Sequence, residues 1–321
     1  MNKSSLQFHD LHPVSDDFSS IVLEGLRHRP ASIPPKFFYD EKGSKLFDAI
    51  TELPEYYQTR TEIGILRQYA ATIAAEVGTG SLLLEPGGGS CAKVHILLEG
   101  LQPVGYVPMD ISKEHLHAAA TELASQYPWL EVHAACTDFT RHMSVPETAP
   151  EGKRIGFFPG SSIGNFTPQD AVIFMSSIAE VVGTDGYLLI GVDLKKQKAI
   201  LEAAYDDAAG VTAAFNLNLL SRINAELNGN FDLSQWRHKA LYNEQLGRIE
   251  MHLISQVDQQ VKVQGELFDF AKDEGIHTEN SYKYTVAEFK ALAIKAGFVA
   301  CDVWTDKQQL FSVHLLKCQS N

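Results

Sequence analysis

Cysteine is scarce in this chain. There are four in 321 residues, Cys91, Cys136, Cys301 and Cys318, all far apart and none in a C-x-x-C pair. That spacing argues against a disulfide framework or a thiolate zinc site and fits a reducing cytoplasm. The twelve histidines form no H-E-x-x-H motif, so no metal is expected. No apolar run approaches the roughly 18 residues of a membrane span. MNKSSLQFHDLHPVSDD has no apolar stretch behind a basic start, so no signal peptide is expected either. Positive charge is also in short supply: 27 Lys and Arg against 40 Asp and Glu give a formal net charge of −13. A general nucleic-acid binder has the opposite balance. There is no internal repeat, low-complexity tract or block of like charge. What remains is a globular chain, 45% hydrophobic, large enough for one big domain or two that share it. A small molecule is the expected partner. No feature fixes an oligomeric state, and a monomer is compatible with the sequence.

The first sixty residues read as helices and loops, with one helix predicted over 18–26 and Pro34-Pro35 stopping any further one. Phe37, Phe38, Tyr39, Phe47, Tyr56 and Tyr57 make this segment dense in aromatics. From about Ser81 apolar runs alternate with helical patterns. SLLLE, VGYVPMD, LEVHAACTDF, RIGFFPGSSIGNF and GYLLIGVD read as five strands. The helical stretches between them imply right-handed crossovers and a parallel sheet. Thr285-Val-Ala-Glu288 is a capping box for a helix ending at Gly297, and VACDVWTD and LFSVHLLK follow as a hairpin. A last helix and an antiparallel hairpin closing a parallel sheet is how class I methyltransferases end. The fold expected is therefore α/β: a Rossmann-type methyltransferase core over 63–194 plus 285–321. A smaller α+β substrate-binding domain is expected over 1–62 plus 195–284.

Glu85-Pro86-Gly87-Gly88-Gly89-Ser90 follows the first of these strands, where glycines let backbone approach a ligand closely. Asp110 ends the second strand, 21 residues after Gly89. A carboxylate there can accept from two ribose hydroxyls. Asp138 and Phe139 end the third and can bond and pack an adenine. Lys93 can meet a carboxylate or be a solvated helix residue. Gly87-Gly88-Gly89-Ser90-Cys91-Ala92 also matches G-x-G-x-x-A, which keeps an NAD-dependent oxidoreductase as an alternative. The hairpin favours S-adenosylmethionine. A bland alternative is that the glycines only turn the chain and the aspartates only cap strands.

PPKFFYDEKGSKLFDAITELPEYYQTRTE, EPGGGS, FPGSSIGNF, AYDDAAGVTAAFN and RIEMHL, in this order and spacing, resemble the histidine Nα-methyltransferase family of ergothioneine biosynthesis. The resemblance runs from about Pro30 to the C-terminus. It implies three methyl transfers from S-adenosylmethionine to the α-amine of L-histidine, giving the betaine hercynine. It also implies that Gly87, Lys93, Asp110, Asp138, Phe139 and Gly160 hold the methyl donor, and Gly88 and Gly89 of the same turn are expected to join them. Tyr39, Phe47, Tyr56, Asn165, Tyr205, Met251, Glu279 and Ser281 fall where the family holds histidine. Of these, Asn165 and Tyr205 take the amino-acid backbone, and Glu279 and Ser281 the imidazole. One departure is Ser-Cys-Ala-Lys after the glycine turn, where many members carry a more polar Ser-Glu-Lys.

The residues suit those roles. An Asn165 amide offers donors to a carboxylate and an acceptor to an amine, although an asparagine in a turn often serves only to take a positive φ. Glu279, in EGIHTENSYKY, reads as a loop residue; a carboxylate accepting from an imidazole N–H discriminates well. Met251 alternates with Ile249 and Leu253 as a core strand residue would. Tyr39, Phe47 and Tyr56 can wall a site that tolerates a quaternary ammonium, or can simply pack. No strong general base stands out; Tyr56 is the side chain nearest to that task. Two further alternatives are the same chemistry on another amino acid or amine, and a donor-binding protein without turnover.

Overall fold

A computed structural model describes residues 6–11, 18–140 and 143–319. It opens on a strand that the sequence pattern did not announce, β1 (Leu6–Asp10), followed by α1 (Phe18–Arg27) and the two-residue β2 (Ala31–Ser32). After a 3-10 turn over Pro35–Phe38 come α2 (Glu41–Thr51) and the long α3 (Tyr57–Val77). Asp40 starts α2 by accepting the Gly43 N–H, which satisfies one of the N–H groups a helix start leaves unpaired. The apolar runs become β3 (Leu82–Pro86), β4 (Gly105–Asp110), β5 (Glu131–Cys136), β6 (Arg154–Phe158) and β7 (Tyr187–Asp193). They alternate with α4 (His95–Leu101), α5 (Lys113–Gln126) and α6 (Pro168–Val182). Then follow α7 (Lys198–Ala203), α8 (Val211–Glu226), β8 (Trp236–Asn243), β9 (Arg248–Ser255), β10 (Gln259–Val263), β11 (Glu266–Phe270) and β12 (Gly275–Tyr282). The chain ends with α9 (Val286–Lys295), whose Thr285/Glu288 capping box is formed in full, and the hairpin β13 (Phe298–Thr305) and β14 (Phe311–Cys318).

These elements form two compact units. The core unit comprises Met1–Pro13, Gln58–Lys195 and Lys283–Asn321; the inserted unit comprises Val14–Tyr57 and Lys196–Tyr282. The core unit is one eight-stranded sheet in the order β1-β5-β4-β3-β6-β7-β14-β13. Strands β1 to β7 in it run parallel, and β14 is inserted antiparallel between β7 and β13. β3 and β7 are buried along their whole length, as central parallel strands covered on both faces must be. Their helices bury Leu97, Leu98, Leu116, Leu123, Phe157 and Leu189 in a single core. Where the chain leaves this unit and where it returns, it is pinned to itself. Lys195 N–H donates to the Tyr284 carbonyl (3.0 Å), and Lys283 pairs with Asp193 at 2.8 Å, both side chains fully buried.

The inserted unit holds a four-stranded sheet, β2-β12-β9-β8, and the separate hairpin β10-β11, with α2 and α8 packed together. The boundary expected at residue 62 moves. β1 pairs in parallel with β5 and so belongs to the core unit, which resumes at Gln58. Five residues at a sheet edge, none of them buried, carry too little apolar signal to be seen without their partner strand.

Candidate active site

The carboxyl edge of the core sheet gathers the glycine turn, Asp110, Asp138 and Phe139. Gly87 leaves β3 in the left-handed region (φ 73°) and donates to the Met109 carbonyl at 2.7 Å, tying the turn to β4. A side chain on Gly87 would meet the Phe139 ring at 3.6 Å. On Gly89 it would come within 2.8 Å of an Asp110 carboxylate oxygen. The Asp110 carboxylate accepts the Ser112 N–H at 2.8 Å, and burial pushes its pKa above the usual range. Asp138 is buried two residues beyond the end of β5 and accepts the Thr140 hydroxyl at 2.5 Å. Phe139 lies beside Phe158 and Phe174, with ring centroids at 6.2 and 6.0 Å.

Lys93 is in a turn ahead of α4, not in a helix, and it is mostly buried. Its ammonium donates to Glu62 of α3 at 2.5 Å, and the same carboxylate accepts the Gly160 N–H at 2.9 Å. Asn165 is the last residue of a 3-10 turn (Ser162–Asn165) seven residues past β6. The positive-φ role considered for it is filled by its neighbours Gly160 (φ 81°) and Ser161 (φ 57°) instead.

In the inserted unit the remaining candidates form one connected line. Tyr39 contacts Phe47, Phe47 contacts Tyr56 and Tyr56 contacts Tyr205, with ring centroids at 5.7, 6.3 and 6.3 Å, all edge to face. The Tyr205 hydroxyl shares a 2.8 Å hydrogen bond with the Ser281 hydroxyl, both buried. Ser281 and Glu279 are two apart on β12 and so share a face, and Glu279 stands opposite Met251 on β9. Glu279 is thus a buried strand residue, not the loop residue expected. β12 is polar and carries a bulge between His277 and Glu279, which breaks the alternation that would reveal a strand.

Sequence reasoning missed several residues that support this line. Phe215 of α8 contacts both Tyr39 and Phe47. Fully buried Asn216 accepts from the Thr278 hydroxyl at 2.9 Å and bonds His238 Nδ1 at 2.8 Å. His238 Nε2 reaches the Tyr205 carbonyl at 2.8 Å, and burial lowers its pKa, so the ring is a neutral strut. Glu62 and Glu85 were missed in the core unit. Buried Glu85 accepts the Tyr106 hydroxyl at 2.5 Å, and its pKa is pushed up to about 7, chiefly by burial. An NLNL or TRTE pattern on a helix looks the same whether it is solvated or buried; only the tertiary partners distinguish them.

A parallel sheet with one antiparallel strand inserted next to its last strand, and a glycine turn facing carboxylates at its carboxyl edge, defines a class I methyltransferase. The chain belongs to the family of histidine-specific, S-adenosylmethionine-dependent methyltransferases, whose sequence profile matches residues 18–318. It is 41% identical over 301 residues to the histidine N-alpha-methyltransferase of Mycolicibacterium smegmatis, covering 92% of each chain. It is 34% identical to ergothioneine biosynthesis protein 1 of Neurospora crassa, over 89% of this chain and 33% of that one. An L-tryptophan methyltransferase of Psilocybe serbica is 28% identical, covering 93% and 92%.

Proposed function

We propose that this enzyme transfers three methyl groups from S-adenosylmethionine to the α-amine of L-histidine, producing hercynine for ergothioneine synthesis. The observation that carries the choice of histidine is the buried carboxylate of Glu279, on one face with Ser281 and opposite Met251. Such a carboxylate favours a ligand that brings it an N–H over an apolar ring that brings none.

The carboxyl edge of the core sheet suits the methyl donor. Gly87, Gly88, Gly89 and Gly160 offer backbone, Asp110 and Asp138 carboxylates for hydroxyl or amine hydrogens, Phe139 an aromatic face and Lys93 an ammonium. S-adenosylmethionine, when bound, supplies an electrophilic methyl on a sulfonium. The protein's own task is to hold a neutral amine and its carboxylate fixed while the nitrogen lone pair stays free. Positioning of this kind supplies up to about 7–11 kcal/mol in favourable systems. In this reading Asn165 and Tyr205 hold the amino-acid backbone of histidine, and Glu279 and Ser281 take its imidazole. Tyr39, Phe47 and Tyr56 wall the ammonium, and Tyr56 assists loss of the amine proton. Cytoplasmic placement accords with four cysteines that are all free thiols. No helix among the described residues is long and apolar enough to cross a membrane.

The test is mass spectrometry of the twenty amino acids incubated separately with enzyme and S-adenosylmethionine. Histidine gaining three methyl groups is the expected result. The tryptophan-methylating relative makes another amino acid the second reading; methylation of tryptophan with histidine untouched would establish it instead.

A further inference from the structure

Glu62 is not among the candidate residues of either unit, yet it is an almost fully enclosed acid in contact with two of the donor residues, Lys93 and Gly160. It is 1% exposed. It is the sixth residue of α3. One of its carboxylate oxygens takes the Lys93 ammonium at 2.5 Å, and both lie within reach of the Gly160 N–H, at 3.0 and 2.9 Å. The surrounding backbone is built to admit it: a Cβ on Gly191 of β7 would stand 1.9 Å from the Glu62 carboxylate. Lys93 keeps 14% of its side chain exposed while its partner is sealed. An ammonium held on one side by a buried carboxylate can present only its remaining N–H donors outward. A long, flexible lysine is thereby fixed in direction before any ligand arrives.

We propose that Glu62 is a positioning residue for the amino-acid end of the methyl donor, acting through Lys93. The sealed carboxylate aims the lysine ammonium at the donor's carboxylate and holds the Gly160 backbone beside it. This rests on the reading of Lys93 and the glycine turn as the donor site. The adenosine end, read by Asp110, Asp138 and Phe139, is independent of it.

Two ligands separate these ends. S-adenosylhomocysteine has the amino-acid carboxylate; 5′-methylthioadenosine has the same nucleoside and sulfur without it. Calorimetry of the full-length enzyme with both is the measurement, on wild type, Glu62→Gln, Lys93→Met and the double variant. Each single variant is expected to lose about tenfold in affinity for S-adenosylhomocysteine, as loss of a charge-assisted contact does. Each should keep wild-type affinity for 5′-methylthioadenosine. Because Glu62 acts through Lys93, the double variant should match Lys93→Met. A merely structural Glu62 would weaken both ligands together, and that result overturns the proposal. Loss in Lys93→Met with none in Glu62→Gln also overturns it, while leaving the donor-site reading intact. No loss in Lys93→Met overturns both. If Glu62→Gln does not fold, Gly191→Ala displaces the same carboxylate without changing charge, and the same selective loss is expected of it.

Discussion

Asp110 carries a cost in the folded protein that a ligand can offset. Its carboxylate is withdrawn from water far enough to raise its pKa, against the hydrogen bonds from Ser112 and Gly89 and the nearby His115, which favour its ionised form. Such a group adds little to stability, so Asp110→Ala should leave the fold intact. Affinity for S-adenosylhomocysteine should fall by about 1.5–3 kcal/mol, the usual loss for a charged hydrogen bond. Calorimetry on the folded variant checks this, and unchanged affinity would remove Asp110 from the donor site. Asn165 makes the complementary case. It lies beyond the glycine turn, on a 3-10 segment anchored by buried Ile163 and by Phe166 stacked on Phe174 at 4.7 Å. Asn165→Ala should lower the turnover of histidine and spare S-adenosylhomocysteine binding. Steady-state rates beside calorimetry separate the two effects, and undiminished turnover would make Asn165 a turn residue only.

At the scale of elements, β12 decides what the inserted unit can recognise. It buries Thr278, Glu279 and Ser281 in one short strand, against the usual preference for apolar residues inside. The Thr278–Asn216–His238 chain of hydrogen bonds connects this strand to the backbone of Tyr205. Glu279→Ala should therefore change preference more than fold. In a competition assay with saturating donor, histidine should lose ground to phenylalanine and tryptophan relative to wild type. An unaltered preference would show that Glu279 does not read the ring. The same strand shows what the sequence could and could not disclose. β3 to β7 and the closing hairpin were legible because burial on both faces demands continuous apolar runs, and turn residues bound them. β12 was not, because its buried residues are polar and its bulge shifts the alternation. β1 was not, because its pattern has meaning only beside β5. Among the candidate residues, the glycine turn and the two aspartates were visible as strand-end positions. Tyr205, Glu279 and Ser281 were visible only through family resemblance. Glu62, Asn216 and His238 gave no signal, since a polar residue on a helix or strand is ordinary until its partners are known.

For the whole molecule, two buried groups give stability opposite dependences on pH. His314 is enclosed beside Phe289 and Ser312, and burial lowers its pKa to about 3. It is neutral in the native state, so its contribution is present above the unfolded value of 6.5 and is lost as pH falls toward 3. Glu85 acts the other way. Unfolded, it ionises near 4.5; folded, burial holds it protonated to about 7, against the lowering effect of the Tyr106 hydroxyl and Lys93. Its contribution is full below pH 4.5 and disappears as pH rises through 7, with Glu62 and Asp110 adding to the cost of its charge. Glu85→Gln removes this term and leaves that of His314 in place, so the difference between variant and wild type isolates it. A glutamine carbonyl can still accept from Tyr106, and any fixed cost of its extra N–H groups is the same at every pH. The unfolding free energy of the variant, relative to wild type, should therefore rise by about 2–3 kcal/mol between pH 5 and pH 8. Urea unfolding at the two pH values measures it. A difference independent of pH would mean that Glu85 is ionised throughout. The glycine turn would then carry a further negative charge in the native protein, and the electrostatics proposed for the donor site would have to include it.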